Sequence, residues 1–230
     1  MKTIGMIGGM SWQSTIEYYR LVNESIQEKL GGLHSAKCVL YSVDFAEIEE
    51  LQRHGEWNKA AEALVGAAQG LEKAGTDFVL ICTNTMHKLA DAVQSRIGIP
   101  LLHIADATAE AVRRAGMRRV GLLGTRFTME EEFYRGRLAN RFGLEVMVPD
   151  AEDRQTVHRI IYEELCAGTV RPESRALVSG IMNRLETLGA EGVILGCTEL
   201  GLLVDAGDSP LPLFDTTRLH ACAAVDWALT

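Results

Sequence analysis

Two short stretches of this chain carry nucleophile-type side chains at the end of an apolar run: Val79-Leu80-Ile81-Cys82-Thr83-Asn84-Thr85 and Val193-Ile194-Leu195-Gly196-Cys197-Thr198-Glu199. Each run has strand character, and each delivers a thiol or hydroxyl into a Thr/Asn-rich turn. Two such groups acting on opposite sides of one small molecule suit proton removal on one face and proton return on the other. Inversion of a carbon stereocentre is the leading reaction that needs both. Cys197 stands where a strand end opens toward a helix start, where the helix dipole is expected to lower a thiol pKa from about 8.5 and raise the thiolate fraction.

The two stretches are not identical in register. Leu71-Glu72 with Gly75 matches Leu185-Glu186 with Gly189 at an offset of 114 residues, and this offset sets Thr83 opposite Cys197 and Cys82 opposite Gly196. An alcohol resists deprotonation far more than a thiol, although its hydroxyl can donate or relay a proton to a strong carbanion. Cys82, one residue earlier on a strand, is expected to point the other way, into the core.

Asn84, Thr85, Thr125, Thr128 and Thr198 are short polar groups suited to holding carboxylates, although Thr and Asn in turns also cap helices. Arg53, Lys88 and Arg126 are candidate cations for a dianionic ligand. Met10 and Trp12 suit a pocket wall or a core equally well. His87 reads as a hydrogen-bonded structural histidine at a helix start, with orienting a thiol or binding substrate as the alternative. Gly5-Met6-Ile7-Gly8-Gly9-Met10-Ser11 has GxxGG spacing, neither the GxGxxG dinucleotide pattern nor a GxxxxGK[ST] phosphate loop. It reads as a tight strand-to-helix turn, either purely structural or offering amides to a small anion.

The elements that must position these residues are legible as alternation. Apolar runs at 2–8, 38–43, 77–82, 99–104, 119–123, 143–148, 191–196 and 211–214 are separated by segments of helical period. In one of them Ala61, Leu64, Val65, Ala68 and Leu71 share a face. Such alternation predicts parallel sheets with crossover helices, and in open parallel sheets ligands bind beyond the carboxyl ends of the strands. Ile4-Gly5-Met6-Ile7-Gly8 repeats as Val120-Gly121-Leu122-Leu123-Gly124 at an offset of 116, and Pro100-Leu101-Leu102 as Pro212-Leu213-Phe214 at 112. Near-constant offsets mean a duplicated unit of about 115 residues. The expected architecture is α/β: two similar doubly wound parallel-sheet domains, residues 1–98 plus 206–230 and residues 99–205, with the active site at their interface.

Composition narrows the function classes. The 230 residues are 47% hydrophobic and 23% charged, ordinary for a globular protein. A net charge of −8 without a Lys/Arg block argues against nucleic acid or an anionic membrane as partner. Five widely spaced cysteines without a CxxC pair, and six histidines without HxxxH or HExxH, indicate neither a disulfide framework nor a metal site. The N-terminus lacks a signal-peptide pattern, so a cytoplasmic location is expected. Lys37 and Lys73 stand in no context recognisable for a Schiff base, which argues against pyridoxal phosphate.

Ile7-Gly8-Gly9-Met10-Ser11-Trp12, Cys82-Thr83-Asn84-Thr85-Met86-His87 and Gly196-Cys197-Thr198-Glu199-Leu200 together resemble the aspartate/glutamate racemase family of cofactor-independent amino-acid racemases. The likeness covers essentially the whole chain, including Gly124-Thr125-Arg126-Phe127-Thr128 and Pro212-Leu213-Phe214-Asp215-Thr216-Thr217 with His220. It implies two-base α-proton exchange on an acidic amino acid, with no cofactor. Cys197 matches the family's second catalytic cysteine, and Thr83 stands where the first motif usually has a cysteine. By the same likeness Met10, Gln52, Asn84, Thr85, Thr125, Thr128 and Thr198 contact the substrate, and a homodimer is allowed. Two rivals remain: a single-thiol decarboxylase or isomerase of a small dicarboxylate, and a non-catalytic dicarboxylate- or amino-acid-binding protein.

Overall fold

The computed structural model describes every residue, Met1–Thr230. The chain divides into two compact units, Met1–Ile104 with His220–Thr230, and Ala105–Leu219.

The first unit runs β1 (Ile4–Gly8), α1 (Trp12–Leu30), β2 (Cys38–Ser42), α2 (Phe45–Arg53), α3 (Trp57–Lys73), β3 (Phe78–Ile81), a 3-10 turn (Thr85–Leu89), α4 (Ala90–Gln94) and β4 (Leu101–Leu102). Helix α5 (Ile104–Arg114) starts on the last residue of this segment. The second unit contains β5 (Arg119–Gly124), α6 (Arg126–Glu130), α7 (Glu132–Phe142), β6 (Glu145–Met147), α8 (Ala151–Glu163), α9 (Pro172–Thr187), β7 (Gly192–Gly196), α10 (Leu200–Leu203) and β8 (Leu213–Asp215). Helix α11 (Thr216–Ala228) begins there and rejoins the first unit at His220. All eight apolar runs contribute a strand.

The sheets have the same topology, β2-β1-β3-β4 and β6-β5-β7-β8, with every pairing parallel. Ile7 pairs with Ile81 in the first, and Leu123 with Leu195 in the second. Equivalent strands therefore end in equivalent places, which is the duplication expressed as geometry.

The domain limits differ from those expected of the sequence, 1–98 plus 206–230 and 99–205. Strand β4 pairs with β3 and so belongs to the first sheet, while β8 pairs with β7 and holds residues 206–219 in the second unit. The chain passes between units inside α5 and α11, where helical sequence gives no Gly/Pro linker to mark a boundary.

Helices cover both faces of the first sheet, so its strands are apolar on both sides. On one face Ile7, Val79 and Ile81 pack with Leu64, Val65, Ala68 and Leu71 of α3. On the other, Met6, Phe78, Leu80 and Cys82 pack with Tyr18, Val22 and Ile26 of α1 and with Ala221, Ala224 and Val225 of α11. In the second unit Val193, Leu195 and Cys197 share one cluster with Val157, Ile160 and Ile161 of α8 and Ile181, Met182 and Leu185 of α9. The two-residue period of a strand is visible in each list.

The turn after β1 depends on Gly9. Its φ of +91° lies where side chains are strained, and a Cβ there would run into the Val43 carbonyl oxygen. Its amide donates to Thr15 Oγ1 at 2.8 Å, and that hydroxyl donates to the Ser11 carbonyl at 2.7 Å. We expect Gly9→Ala to destabilise the protein by about 2 kcal/mol or more through backbone strain and steric overlap. Denaturant unfolding checks this, and an unchanged midpoint would mean that the turn relaxes freely.

Candidate active site

Three of the turns that follow central strands hold the residues singled out from sequence. In the first unit the β3 ladder extends one residue further, since the Cys82 amide donates to the Ile7 carbonyl at 2.9 Å. Cys82 is fully buried in the α1/α11 cluster, where loss of hydration pushes its thiol pKa far up. It is a packing side chain. Thr83, the next residue, is only half-buried.

Asn84 and Thr85 follow, both buried at the start of the 3-10 turn. Gln52 on α2 is also buried, and its Nε2 donates to Met86 Sδ at 2.9 Å. Met10 lies in the apolar cluster beneath α3, so its observed contacts are those of a core residue. The first Gly turn is committed largely to itself, because the Gly9 amide bonds Thr15 and the Ser14 amide bonds Ser11 Oγ at 3.4 Å.

In the second unit Thr125 caps α6, with its Oγ1 accepting from the Thr128 amide at 3.3 Å and lying 3.2 Å from the Thr128 hydroxyl. Both threonines are buried. Gly196 fits tightly beneath the next turn, since a Cβ on it would come 2.9 Å from the Leu123 carbonyl oxygen. Cys197 follows at 7% exposure, and its Sγ donates to Glu199 Oε2 at 3.1 Å. The Thr198 hydroxyl donates to the same oxygen at 2.8 Å.

Glu199, to which the sequence pattern alone assigns no role, changes the electrostatics. The Cys197 thiol pKa is raised well above the ordinary value, first by desolvation and then by the Glu199 charge. This reverses the expected dipole effect. Helix α10 has only four residues, too short a dipole to outweigh a buried carboxylate in contact with the sulfur. The thiol rests protonated beside a group able to accept its proton. The signal available in sequence was the spacing Cys-Thr-Glu, which puts an acceptor two residues from the sulfur.

Each candidate cation has a neighbour within its own unit. Arg53 is exposed, 3.9 Å from Glu49. Lys88 lies over the Trp57 ring at 3.9 Å, and exposed Arg126 lies 5.4 Å from the Phe127 ring. No group of three or more His, Cys, Asp or Glu side chains converges as a metal site would require. No helix is long and apolar enough to cross a membrane.

A duplicated parallel α/β chain with a hydroxyl turn in one half and a thiol–carboxylate turn in the other has the features of an amino-acid racemase, an isomerase. The Asp/Glu/Hydantoin racemase family model matches residues 7–224, and the chain belongs to that family. It is 26% identical over 228 residues to the broad specificity amino-acid racemase RacX of Bacillus subtilis, covering 96% of each chain. A crystal structure of a Yersinia pestis protein assigned as an Asp/Glu racemase superposes with a TM-score of 0.93 at 55% identity, over 100% of both chains. An aspartate racemase homologue from Pyrococcus horikoshii OT3 gives 0.86 at 37%, again over 100% of both.

Removing the Glu199 charge is expected to lower the Cys197 pKa, because the carboxylate raises it both by its charge and by accepting the S–H. In Glu199→Gln, iodoacetamide alkylation of the Cys197 peptide, followed by mass spectrometry against pH, should shift its midpoint to lower pH than in the native protein. A shift to higher pH would contradict this account of the thiol.

Proposed function

We propose that this protein racemises aspartate, glutamate or a closely related amino acid in the cytoplasm, without pyridoxal phosphate or a metal. Cys197 is one acid/base, and Thr83 takes the opposing place. The observation that carries the reading is the Cys197–Glu199 hydrogen bond, which gives a protonated thiol a buried acceptor on the residue that matches the family's second cysteine. Proton transfer to Glu199 generates a thiolate able to take the α-proton, and the returning proton makes the thiol an acid again. The ammonium of a bound amino acid would favour the thiolate further.

Thr83 supports the second half of the exchange through its register and its exposure. Ile81 and Leu195 are equivalent ladder positions, and Thr83 and Cys197 each lie two residues beyond them. Its hydroxyl is a competent donor to a carbanion and a weak base, so abstraction through Thr83, or through water, is the slower half of the cycle. Asn84, Thr85, Thr125, Thr128, Thr198, Gln52 and Met10 are proposed to line the substrate, with hydroxyls and amides for its carboxylates. A homodimer is proposed with it, supported by Trp12, Ile16 and Tyr19, which leave a row of large apolar side chains exposed along α1.

The raised Cys197 pKa also suits a single-thiol decarboxylase or isomerase that only protonates an enolate. Such an enzyme would release CO₂ or move a double bond in a dicarboxylate and leave amino-acid stereochemistry untouched.

Incubation in D₂O with each enantiomer of aspartate, glutamate and their neighbours separates these readings. Deuterium at Cα together with the opposite enantiomer is expected, and the absence of both across the panel would sink the racemase reading. Cys197→Ala should cost about 10²-fold to 10⁴-fold in exchange, the usual worth of a positioned acid/base. Cys82→Ala should retain most of it, and Thr83→Cys should accelerate racemisation.

A further inference from the structure

We propose that His87 is a positioning residue for Thr83, fixing the peptide that carries the weaker of the two acid/base groups. This rests on the racemase reading above and adds to it the device that holds Thr83 in place.

The His87 ring is 3% exposed and bonded at both nitrogens. The backbone amide of Ile104 points at Nε2 from 3.1 Å, and an amide can only donate. Nε2 therefore carries no proton. The ring proton is on Nδ1, which donates to the Thr83 carbonyl at 2.7 Å. The tautomer is fixed by the backbone on one side and delivered to the Thr83 peptide on the other.

This bond closes a bracket around Thr83. On its N-terminal side, Cys82 is held by the Ile7 carbonyl at the end of the ladder. On its C-terminal side, the His87 amide donates to the Asn84 carbonyl at 3.0 Å, and the ring reaches back over the same turn to Thr83. Two further histidines limit rotation of the ring. His103 packs at a centroid distance of 4.5 Å and His220 at 5.7 Å, and His220 is itself anchored by the Tyr18 hydroxyl at 2.9 Å and the Leu102 carbonyl at 2.9 Å. A half-buried threonine on a strand-end turn thus gains a fixed backbone. Misplacement by about 1 Å can cost on the order of 10²-fold in rate, so this support matters most for the group with the least intrinsic reactivity.

The chemistry of the ring supplies the test. Asn at this position keeps a donor at the δ position, where it can still reach the Thr83 carbonyl. Gln places its amide at the ε position, keeping an acceptor for Ile104 and losing the donor to Thr83. His87→Gln is therefore expected to slow racemisation about 10-fold to 100-fold, and His87→Asn to recover much of that loss.

The decisive readout is isotope exchange against inversion in D₂O, with both enantiomers of a substrate that the native enzyme racemises. In His87→Gln, the enantiomer deprotonated by Cys197 should still take up deuterium with retention, so its exchange-to-inversion ratio should rise about 10-fold or more. For the other enantiomer both processes should fall together. Equal loss of exchange from both enantiomers, or an asparagine variant no better than the glutamine one, would overturn the proposal and leave His87 a purely structural group. A native protein that exchanges no substrate would remove the racemase reading itself, a separate outcome from an active enzyme whose ratio is unmoved.

Discussion

The parallel ladder between the two central strands of each unit is the constraint on which the rest depends. With β1 paired to β3 and β5 to β7, both faces covered by helices, every side chain is assigned to one apolar layer or the other by its place in a two-residue period. Residues Leu80 and Cys82 fall to the α1/α11 layer, and Val79 and Ile81 to the α3 layer. A slip of one residue would exchange these sets wholesale. The ladder thereby decides which member of the Cys82-Thr83 pair leaves the core, a matter that composition cannot decide.

The same layering sets the electrostatics of the thiols. Both Cys82 and Cys197 are desolvated, and both have their pKa pushed up. Only Cys197 has a carboxylate in contact, so only Cys197 combines a retained proton with somewhere to send it. A raised pKa by itself describes an inert core cysteine as well as it describes an acid. What separates the two residues is the acceptor two positions along the chain.

Much of this arrangement was legible in the sequence. All eight strands announced themselves as apolar runs, the duplication was visible in near-constant offsets, and the mismatch between Cys82 and Thr83 followed from aligning the halves. The domain limits were not legible, because the crossings lie within α5 and α11 and leave no break in helical pattern. The polarity of the effect on Cys197 was also missed. A strand-to-helix junction suggested a favourable dipole, but the helix is a single turn and the nearest strong field comes from a side chain, Glu199. Local text records where a strand ends well, and records the net field at that end poorly.

The crossing at His220 has a further consequence for how the protein comes to be made. Ala221, Ala224 and Val225 complete the layer that buries Ile4, Met6 and Tyr18, and the Ala228 carbonyl accepts from the Lys2 amide at 2.8 Å. Residues near the start of the chain thus wait for residues beyond 220 before their shared layer can close. Domains usually fold in the order in which they emerge from the ribosome. Here the second unit, continuous from Ala105 to Leu219, has all its own residues available first. Order of synthesis and order of completion are inverted, and until α11 emerges the part of that face not covered by α1 remains a hydrophobic surface in need of cover.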